Sequence, residues 1–218
     1  HFRGQPGSVP FDHVLDRARA FLAAGFLFLV PGYPVLLAGF FICLGLFQSY
    51  QTAREGNDLV YSALLPVAKA DTVRGKYLFA LFIETCGFVL CALCALLRMT
   101  VLRDAPAYLG NALMNANVAA LGFLLLIFGE FNALFIGGFF RTAYKFGWPF
   151  ISFIIVSMLT IGLAEALHYF PGLGWLNAFG FDAIGPQLAV LGAGALLFAV
   201  LTLASLGRAI RSFEKIDL

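Results

Sequence analysis

The stretch Tyr77–Leu97, YLFALFIETCGFVLCALCALL, is an almost unbroken run of apolar side chains that contains one charged residue, Glu84. A helix needs about 20 apolar residues to cross the hydrocarbon core of a bilayer, because each residue advances the helix axis by about 1.5 Å. The run meets this length. It therefore predicts a transmembrane helix and indicates an all-α integral membrane protein.

Five more segments extend this pattern along the chain. Three of them have a full spanning length: Ala112–Phe128, which runs on in apolar sequence to Phe140, Trp148–Leu167 and Ala183–Leu206. Two are shorter, Ala18–Val30 and Val35–Phe47, and the turn signal Pro31-Gly32-Tyr33-Pro34 separates them. We expect six transmembrane helices. The alternative for the short pair is a hairpin that only dips into the membrane.

The composition supports the same class. Hydrophobic residues make up 61% of the chain and charged residues 12%, with a net charge of +2. A soluble domain has about 25% charged residues, so this chain has too few polar groups to cover a globule in water. No basic tract or basic-aromatic patch indicates a nucleic acid partner. The lipid bilayer is therefore the expected surrounding of most of the surface.

The distribution of Lys and Arg predicts the orientation. With the N-terminus inside, twelve of the 14 basic residues lie on the cytoplasmic side, and only Arg98 and Arg103 lie in outside loops. Both termini are then cytoplasmic. We expect His1–Pro10 to be unstructured, with a vector-derived remnant as one origin for it. Phe11–Ala20 has apolar residues at helical spacing, which predicts an amphipathic helix on the membrane surface leading into the single transmembrane domain, residues 11–218.

Three connecting segments stand out. The loops at about 51–76 and 141–147 are polar and are predicted to be cytoplasmic. The outer loop Tyr169–Asp182 is apolar, and its aromatic residues suit the headgroup level. Because an external loop of this kind avoids water, we expect it to lie in the interface or to re-enter the bilayer before the last helix.

Three carboxylates lie within or beside the apolar runs: Glu84, Glu130 and Glu165. A charge at membrane depth costs at least about 2.5 kcal/mol on insertion scales, so each is a candidate for lining a translocation path. The alternatives are pairing with a neighbouring helix for Glu84, with proton coupling as a further one, and a snorkelling or capped carboxylate near the inner interface for Glu130. Glu165 lies one turn from His168, a spacing that permits a metal or relay site. No metal site is expected, since the other histidines lie on the opposite side.

Small residues recur on the last span, and we expect them to allow close helix packing, with a dimer contact as the alternative. They are Ala189, Gly192, Ala193, Ala195 and Ala199. The 25 phenylalanines suit either an apolar path wall or lipid contact. No catalytic motif and no P-loop sequence occurs, so a non-catalytic membrane protein without an ATPase of its own is expected.

Two cytoplasmic stretches and the tail carry a family resemblance. NDLVYSALLPV (Asn57–Val67), continued by DTVRGKYLF (Asp71–Phe79), resembles the first cytoplasmic loop of ABC-2 type transporter permeases of the small bacterial branch. FFRTAYKFG (Phe139–Gly147) is similar to their second loop, and Ser205–Leu218 to their short charged tail. The chain departs from the usual Ser-Arg or Arg-Lys pair, having Ala68-Lys69-Ala70 instead.

The resemblance implies a permease that receives force from P-loop ABC ATPase subunits, which would bind the ATP and Mg²⁺. It implies coupling contacts through Leu64, Leu65, Pro66, Val67, Lys69 and Arg74 in the first loop, and through Arg141, Tyr144 and Lys145 in the second. It also implies a second permease subunit, identical or different, since one bundle supplies half of the path. The apolar outer loop would then correspond to the re-entrant element of the fold.

Three functions follow as hypotheses. The first is the permease of an ABC exporter in the bacterial cytoplasmic membrane, moving an amphipathic or hydrophobic cargo such as an antimicrobial peptide, a drug or a lipid. The second is a secondary transporter or channel that uses an intramembrane carboxylate, which the absence of evident inverted repeats disfavours. The third is a membrane-embedded enzyme, which the missing catalytic motifs disfavour. The residues do not separate export from import.

Overall fold

The computed structural model describes residues 23–55, 68–108, 110–142 and 145–215. Within these ranges all regular structure is helical and no strand occurs. The α-helices are α1, Leu37–Glu55; α2, Lys69–Met99; α3, Val118–Arg141; α4, Gly147–Leu167; and α5, Ile184–Glu214. Short 3-10 turns lie at Ala23–Leu29, Pro106–Tyr108 and Gly174–Asn177.

Four of these helices, α2 to α5, are long and apolar enough to cross a membrane. They correspond to the four long spans that the sequence predicts. The two short spans are less regular than expected. Ala23–Leu29 is a 3-10 helix, and α1 continues from the apolar part ending at Phe47 to Glu55. A 3-10 helix rises about 2.0 Å per residue, so a few residues reach further across the membrane than they would in an α-helix.

Helix boundaries also differ from the sequence-based ones. α2 begins at Lys69, about two turns before the apolar run at Tyr77, and α1 ends at Glu55, so the first polar loop is shorter than the expected 51–76. α3 begins at Val118 because the Asn117 side chain caps it by accepting the Ala120 N–H at 3.0 Å. The apolar residues before Asn117 are therefore not part of the helix.

The helices α3 and α5 run parallel and touch through glycines. A Cβ at Gly122 would lie 2.6 Å from the Val190 carbonyl oxygen, and one at Gly129 would lie 3.1 Å from the Phe198 Cα. Likewise, a Cβ at Gly194 of α5 would collide with the backbone carbonyl of Gly122. The sequence analysis expected the close packing of the last span to use a different set of small residues. Within this chain that expectation was wrong, because those residues are exposed: Ala189, Gly192, Ala193, Ala195 and Ala199.

Aromatic rings fill the space between α1, α3 and α4. Phe47 of α1 stacks on Phe150 of α4 with 3.6 Å between ring centroids, and its ring edge meets Phe135 of α3 at 5.3 Å. Tyr50 contacts Phe135 and Phe139 at 5.5 and 5.3 Å. These phenylalanines thus pack α1, α3 and α4 against one another. The sequence analysis had considered two other roles for phenylalanine, the wall of a path and contact with lipid.

The two ends of the bundle differ in chemistry. The end where α1, α3 and α5 finish and where α2 and α4 begin carries basic residues and is called the basic end. The described ones are Arg54, Lys69, Arg74, Lys76, Arg141, Lys145, Arg208, Arg211 and Lys215. The opposite end, here called the loop end, carries the 3-10 turns Pro106–Tyr108 and Gly174–Asn177.

Candidate functional site

A polar cluster lies inside the bundle, where α2, α3 and α5 meet. Glu84 is the central residue of the 31-residue helix α2 and is 1% exposed. Its Oε2 accepts a hydrogen bond of 3.0 Å from Asn132 Nδ2 of α3, which also donates to Thr202 Oγ1 of α5 at 3.1 Å. The expected pairing of Glu84 with a neighbouring helix is thus observed, and its partner is an amide.

The Asn132 backbone completes the cluster. Its carbonyl accepts a hydrogen bond of 2.8 Å from Ser205 Oγ, and the Tyr77 hydroxyl lies 3.4 Å from the same oxygen. Tyr77 and Ser205 are also joined directly, at 2.7 Å. Five buried side chains from three helices therefore share one hydrogen-bonded network.

A π-helical segment, Phe131–Ile136, interrupts α3 at this point. The Asn132 carbonyl accepts the N–H of Gly137, five residues ahead, and so turns toward the hydroxyls of Tyr77 and Ser205. Gly137 suits the position because a Cβ there would collide with the Ser205 hydroxyl. Single π turns inside α-helices occur often at functional sites. The polar cluster around Asn132 is therefore the leading candidate for a functional site in this bundle.

Glu130 lies on α3, two residues before Asn132, and its side chain is buried inside the bundle. It is 8% exposed, and its Oε1 accepts a hydrogen bond of 2.5 Å from the Thr160 hydroxyl of α4. Of the two alternatives for Glu130, the snorkelling carboxylate is therefore wrong, because the side chain turns inward to α4, whereas a capped carboxylate agrees with the bond from Thr160. This contact ties α3 to α4 and leaves the membrane-facing surface apolar.

Glu165 lies at the loop end of α4 and binds the backbone. Its Oε2 accepts the Met114 N–H at 2.7 Å, and nearby the Tyr169 hydroxyl donates to the Ala112 carbonyl. His168 packs its ring on Tyr169 with 4.0 Å between centroids. Among the residues that the structure describes, His, Cys, Asp and Glu form no group of three that could hold a metal ion.

Amide side chains hold the apolar loop between α4 and α5 in place. Asn117 Nδ2 donates to the Leu176 carbonyl at 2.7 Å, and Gln187 Nε2 donates to the carbonyls of Trp175 and Ala178 at 3.1 and 3.3 Å. Buried backbone carbonyls need hydrogen-bond partners, and an irregular loop cannot supply all of them from its own backbone. These amide side chains supply donors to the carbonyls of the loop. The sequence pattern did not indicate these partners.

Arg98 is buried near the loop end of α2, although the sequence placed it in an outside loop. It is 1% exposed, its Nη1 donates to the Phe28 carbonyl at 3.1 Å, and its guanidinium lies 3.7 Å from the centroid of the Tyr108 ring. The Tyr108 hydroxyl donates to the Leu29 carbonyl at 2.8 Å. The Arg98 guanidinium and the Tyr108 hydroxyl therefore both bind backbone carbonyls at the end of the 3-10 segment Ala23–Leu29.

The expected coupling residues lie at the basic end where they are described. Arg74 forms an exposed ion pair of 2.9 Å with Asp71 on the first turn of α2, which Lys69 begins. Arg141 and Lys145 are exposed on either side of the second loop, which Thr142 closes by donating to the Lys145 carbonyl at 2.9 Å. The remaining expected residues lie outside the described ranges: Leu64, Leu65, Pro66, Val67 and Tyr144.

Side-chain contacts connect the segments at the basic end. The Tyr50 hydroxyl of α1 donates to the Lys76 carbonyl of α2 at 3.0 Å. The Arg54 guanidinium of α1 lies 4.6 Å from the centroid of the Phe146 ring, which belongs to the second loop. The helices that border the first loop are therefore tied to each other and to the second loop.

Comparison with known proteins gives one match. A family model described as ABC-2 family transporter protein matches residues 18–214. No curated protein and no solved structure matches the chain. The matched range includes all five α-helices, the polar cluster and both loops of the basic end.

Proposed function

Since the chain belongs to the ABC-2 transporter family, we propose that it is the permease subunit of an exporter that a separate ATPase drives. The family match over residues 18–214 carries this proposal. Members of the family form the membrane component of ABC transporters and associate with ABC ATPase subunits. We propose further that the ATP and Mg²⁺ are bound entirely by those partners.

The basic end is the proposed docking face for the ATPase. Arg141 and Lys145 are exposed there, and the ion pair of Arg74 leaves both of its side chains more than half exposed. Leu64, Leu65, Pro66, Val67 and Tyr144 are assigned to this face by the family resemblance. Tyr50 and Arg54 support the assignment, because their contacts would let a push on one loop reach the other.

Docking of an ATPase at the basic end implies one orientation of the bundle in the membrane. The basic end faces the cytoplasm of a bacterial cell, in line with the preference of Lys and Arg for that side. The first two short segments complete six crossings, and a second permease subunit supplies the other half of the path. The cargo is amphipathic or hydrophobic: a peptide, a drug or a lipid.

The contacts of all three membrane glutamates support a scaffolding role. Glu84 and Glu130 are buried and bonded to neighbouring helices. Glu165 holds the start of the segment before α3 through Met114. We therefore propose that they influence transport by fixing helix positions, and that cargo passes along surfaces formed with the second subunit.

Site-specific cross-linking tests the docking face. A photo-reactive amino acid at position 145, which is exposed at the basic end, is expected to capture an ATPase chain in native membranes. The matched control is position 103, which is exposed at the loop end. Capture of an ATPase from position 103 but not from position 145 would contradict the proposal.

A further inference from the structure

The two side chains at the centre of the polar cluster each leave one oxygen without a partner. Asn132 Nδ2 donates to Glu84 Oε2 at 3.0 Å, while Glu84 Oε1 and Asn132 Oδ1 have no hydrogen-bond partner. Both residues are buried, at 1% and 0% exposure. An ionised carboxylate and an amide oxygen can only accept hydrogen bonds, so neither can satisfy the other.

Among the described residues, no positive charge pairs with the carboxyl group. In the part of the chain that the structure describes, Glu84 takes part in no ion pair, and its one hydrogen-bonding side chain is Asn132. The titratable groups that interact with it are Tyr77 on the same helix and Cys43 and Tyr50 on α1, and Cys43 also interacts with Glu130 on α3. None of them carries a positive charge. A bare anion in this place would be unpaired at membrane depth, the most costly situation for a charge.

We propose that Glu84 is a proton-binding site, holding a proton on Oε1 and donating it as a hydrogen bond to Asn132 Oδ1. The acid and the amide then form a cyclic pair in which each group donates once and accepts once. One proton thereby satisfies both unpartnered oxygens and removes the charge. The neutral pair joins the middle of α2 to the π-helical segment of α3.

Glu84 holds this proton in the resting state of the chain, whether or not an ATPase is bound and whether or not cargo is transported. The proton also explains why the partner of Glu84 is an amide, since an amide offers one donor and one acceptor at the spacing of a carboxylic acid. Asn132 in turn uses its second amide hydrogen for Thr202, at 3.1 Å.

Infrared spectroscopy of the full chain in lipid bilayers at neutral pH tests the proposal. A protonated carboxyl group gives a carbonyl stretching band apart from the amide bands and from ionised carboxylates. We expect this band in the difference spectrum of wild type minus Glu84→Gln, in which the lipid ester carbonyls and the other carboxyl groups cancel, while the matched variant Glu130→Gln retains the component that Glu84→Gln loses. A difference spectrum of wild type minus Glu84→Gln that lacks this band would overturn the proposal.

Two further arms keep the test decisive. In Asn132→Leu the band should move to higher frequency because the acid loses its partner, and an unmoved band would refute the acid–amide pair. Spectra in sodium, potassium and choline buffers should coincide. A band present only in choline would mean that a metal cation occupies the site in place of the proton, which would also overturn the proposal.

Discussion

The hydroxyl of Tyr77 lies 2.7 Å from the hydroxyl of Ser205, across 128 residues of sequence and between two antiparallel helices. Both hydroxyls also lie within 3.4 Å of the Asn132 carbonyl. The carbonyl is available because the π segment moves its backbone partner to Gly137. A local irregularity of one helix is therefore stabilised by side chains from two others.

This network predicts measurable coupling between Tyr77 and Ser205. In a double-mutant cycle of Tyr77→Phe and Ser205→Ala, the interaction energy should be near the average of about 0.6 kcal/mol for hydrogen bonds inside membrane proteins, and at most about 1.7 kcal/mol. The measurement is the free energy of unfolding in bicelles. Strictly additive effects would show that the two hydroxyls act independently.

The glycine contact between α3 and α5 gives a second prediction. Gly122→Val places side-chain atoms against the Val190 carbonyl oxygen, which lies 2.6 Å from the Cβ position, and should destabilise the fold by about 1–3 kcal/mol. The control is Gly162→Val on α4, where no atom lies within 4 Å of the Cβ position. Thermal unfolding in detergent measures both, and equal stability of the two variants would be inconsistent with the close contact.

Sequence reasoning found the four long spans because each apolar run by itself reaches the thickness of a bilayer. It did not find the partners of the polar residues, since Glu84 and Asn132 are 48 residues apart and no local pattern connects them. The one available signal was Asn132 itself, the single amide side chain within α3. Arg98 was misplaced because its carbonyl partner, Phe28, is 70 residues away, and because no local pattern predicts its contact with the Tyr108 ring in the following loop.

The face of the last helix shows a further limit. α5 has small residues on more than one face, and periodicity does not show which face meets a neighbour. The sequence favoured the group around Gly192 and Ala193, which is exposed, whereas the contact uses Gly194. The family resemblance was carried by the loop motifs, and the match over residues 18–214 confirms it.

The outer loop yields a third prediction. Gln187→Leu removes one donor of the Trp175 and Ala178 carbonyls, which keep the Ala178 N–H and Asn117 Nδ2 as their other donors. The loss should cost about 0.5–1.5 kcal/mol for each hydrogen bond. Hydrogen exchange of residues 174–178, followed by mass spectrometry, should accelerate. The control is Asp182→Asn, which removes an exposed ion pair with Arg103. Such pairs contribute about 0–1 kcal/mol, so exchange in the same segment should stay unchanged. Unaltered exchange in Gln187→Leu would show that other contacts hold the loop.

The contact between Arg54 and Phe146 yields a fourth prediction, which rests on the proposed function. Arg54→Ala should lower transport-coupled ATP hydrolysis, with little loss of stability, since an exposed cation–π contact is worth only about 0.5–1 kcal/mol. Arg211→Ala is the control, because the Arg211 side chain binds the Gly207 carbonyl of its own helix. Equal hydrolysis rates in the two variants would show that Arg54 does not link the loops.

The most direct test of the proposed function is isolation of the tagged full-length chain from its native membranes, followed by identification of its partners and assay of ATP hydrolysis. We predict that a P-loop ATPase co-purifies, that the isolated complex hydrolyses ATP, and that the chain alone does not. If no ATPase accompanies the chain and the purified chain transports a solute by itself, the proposal is contradicted.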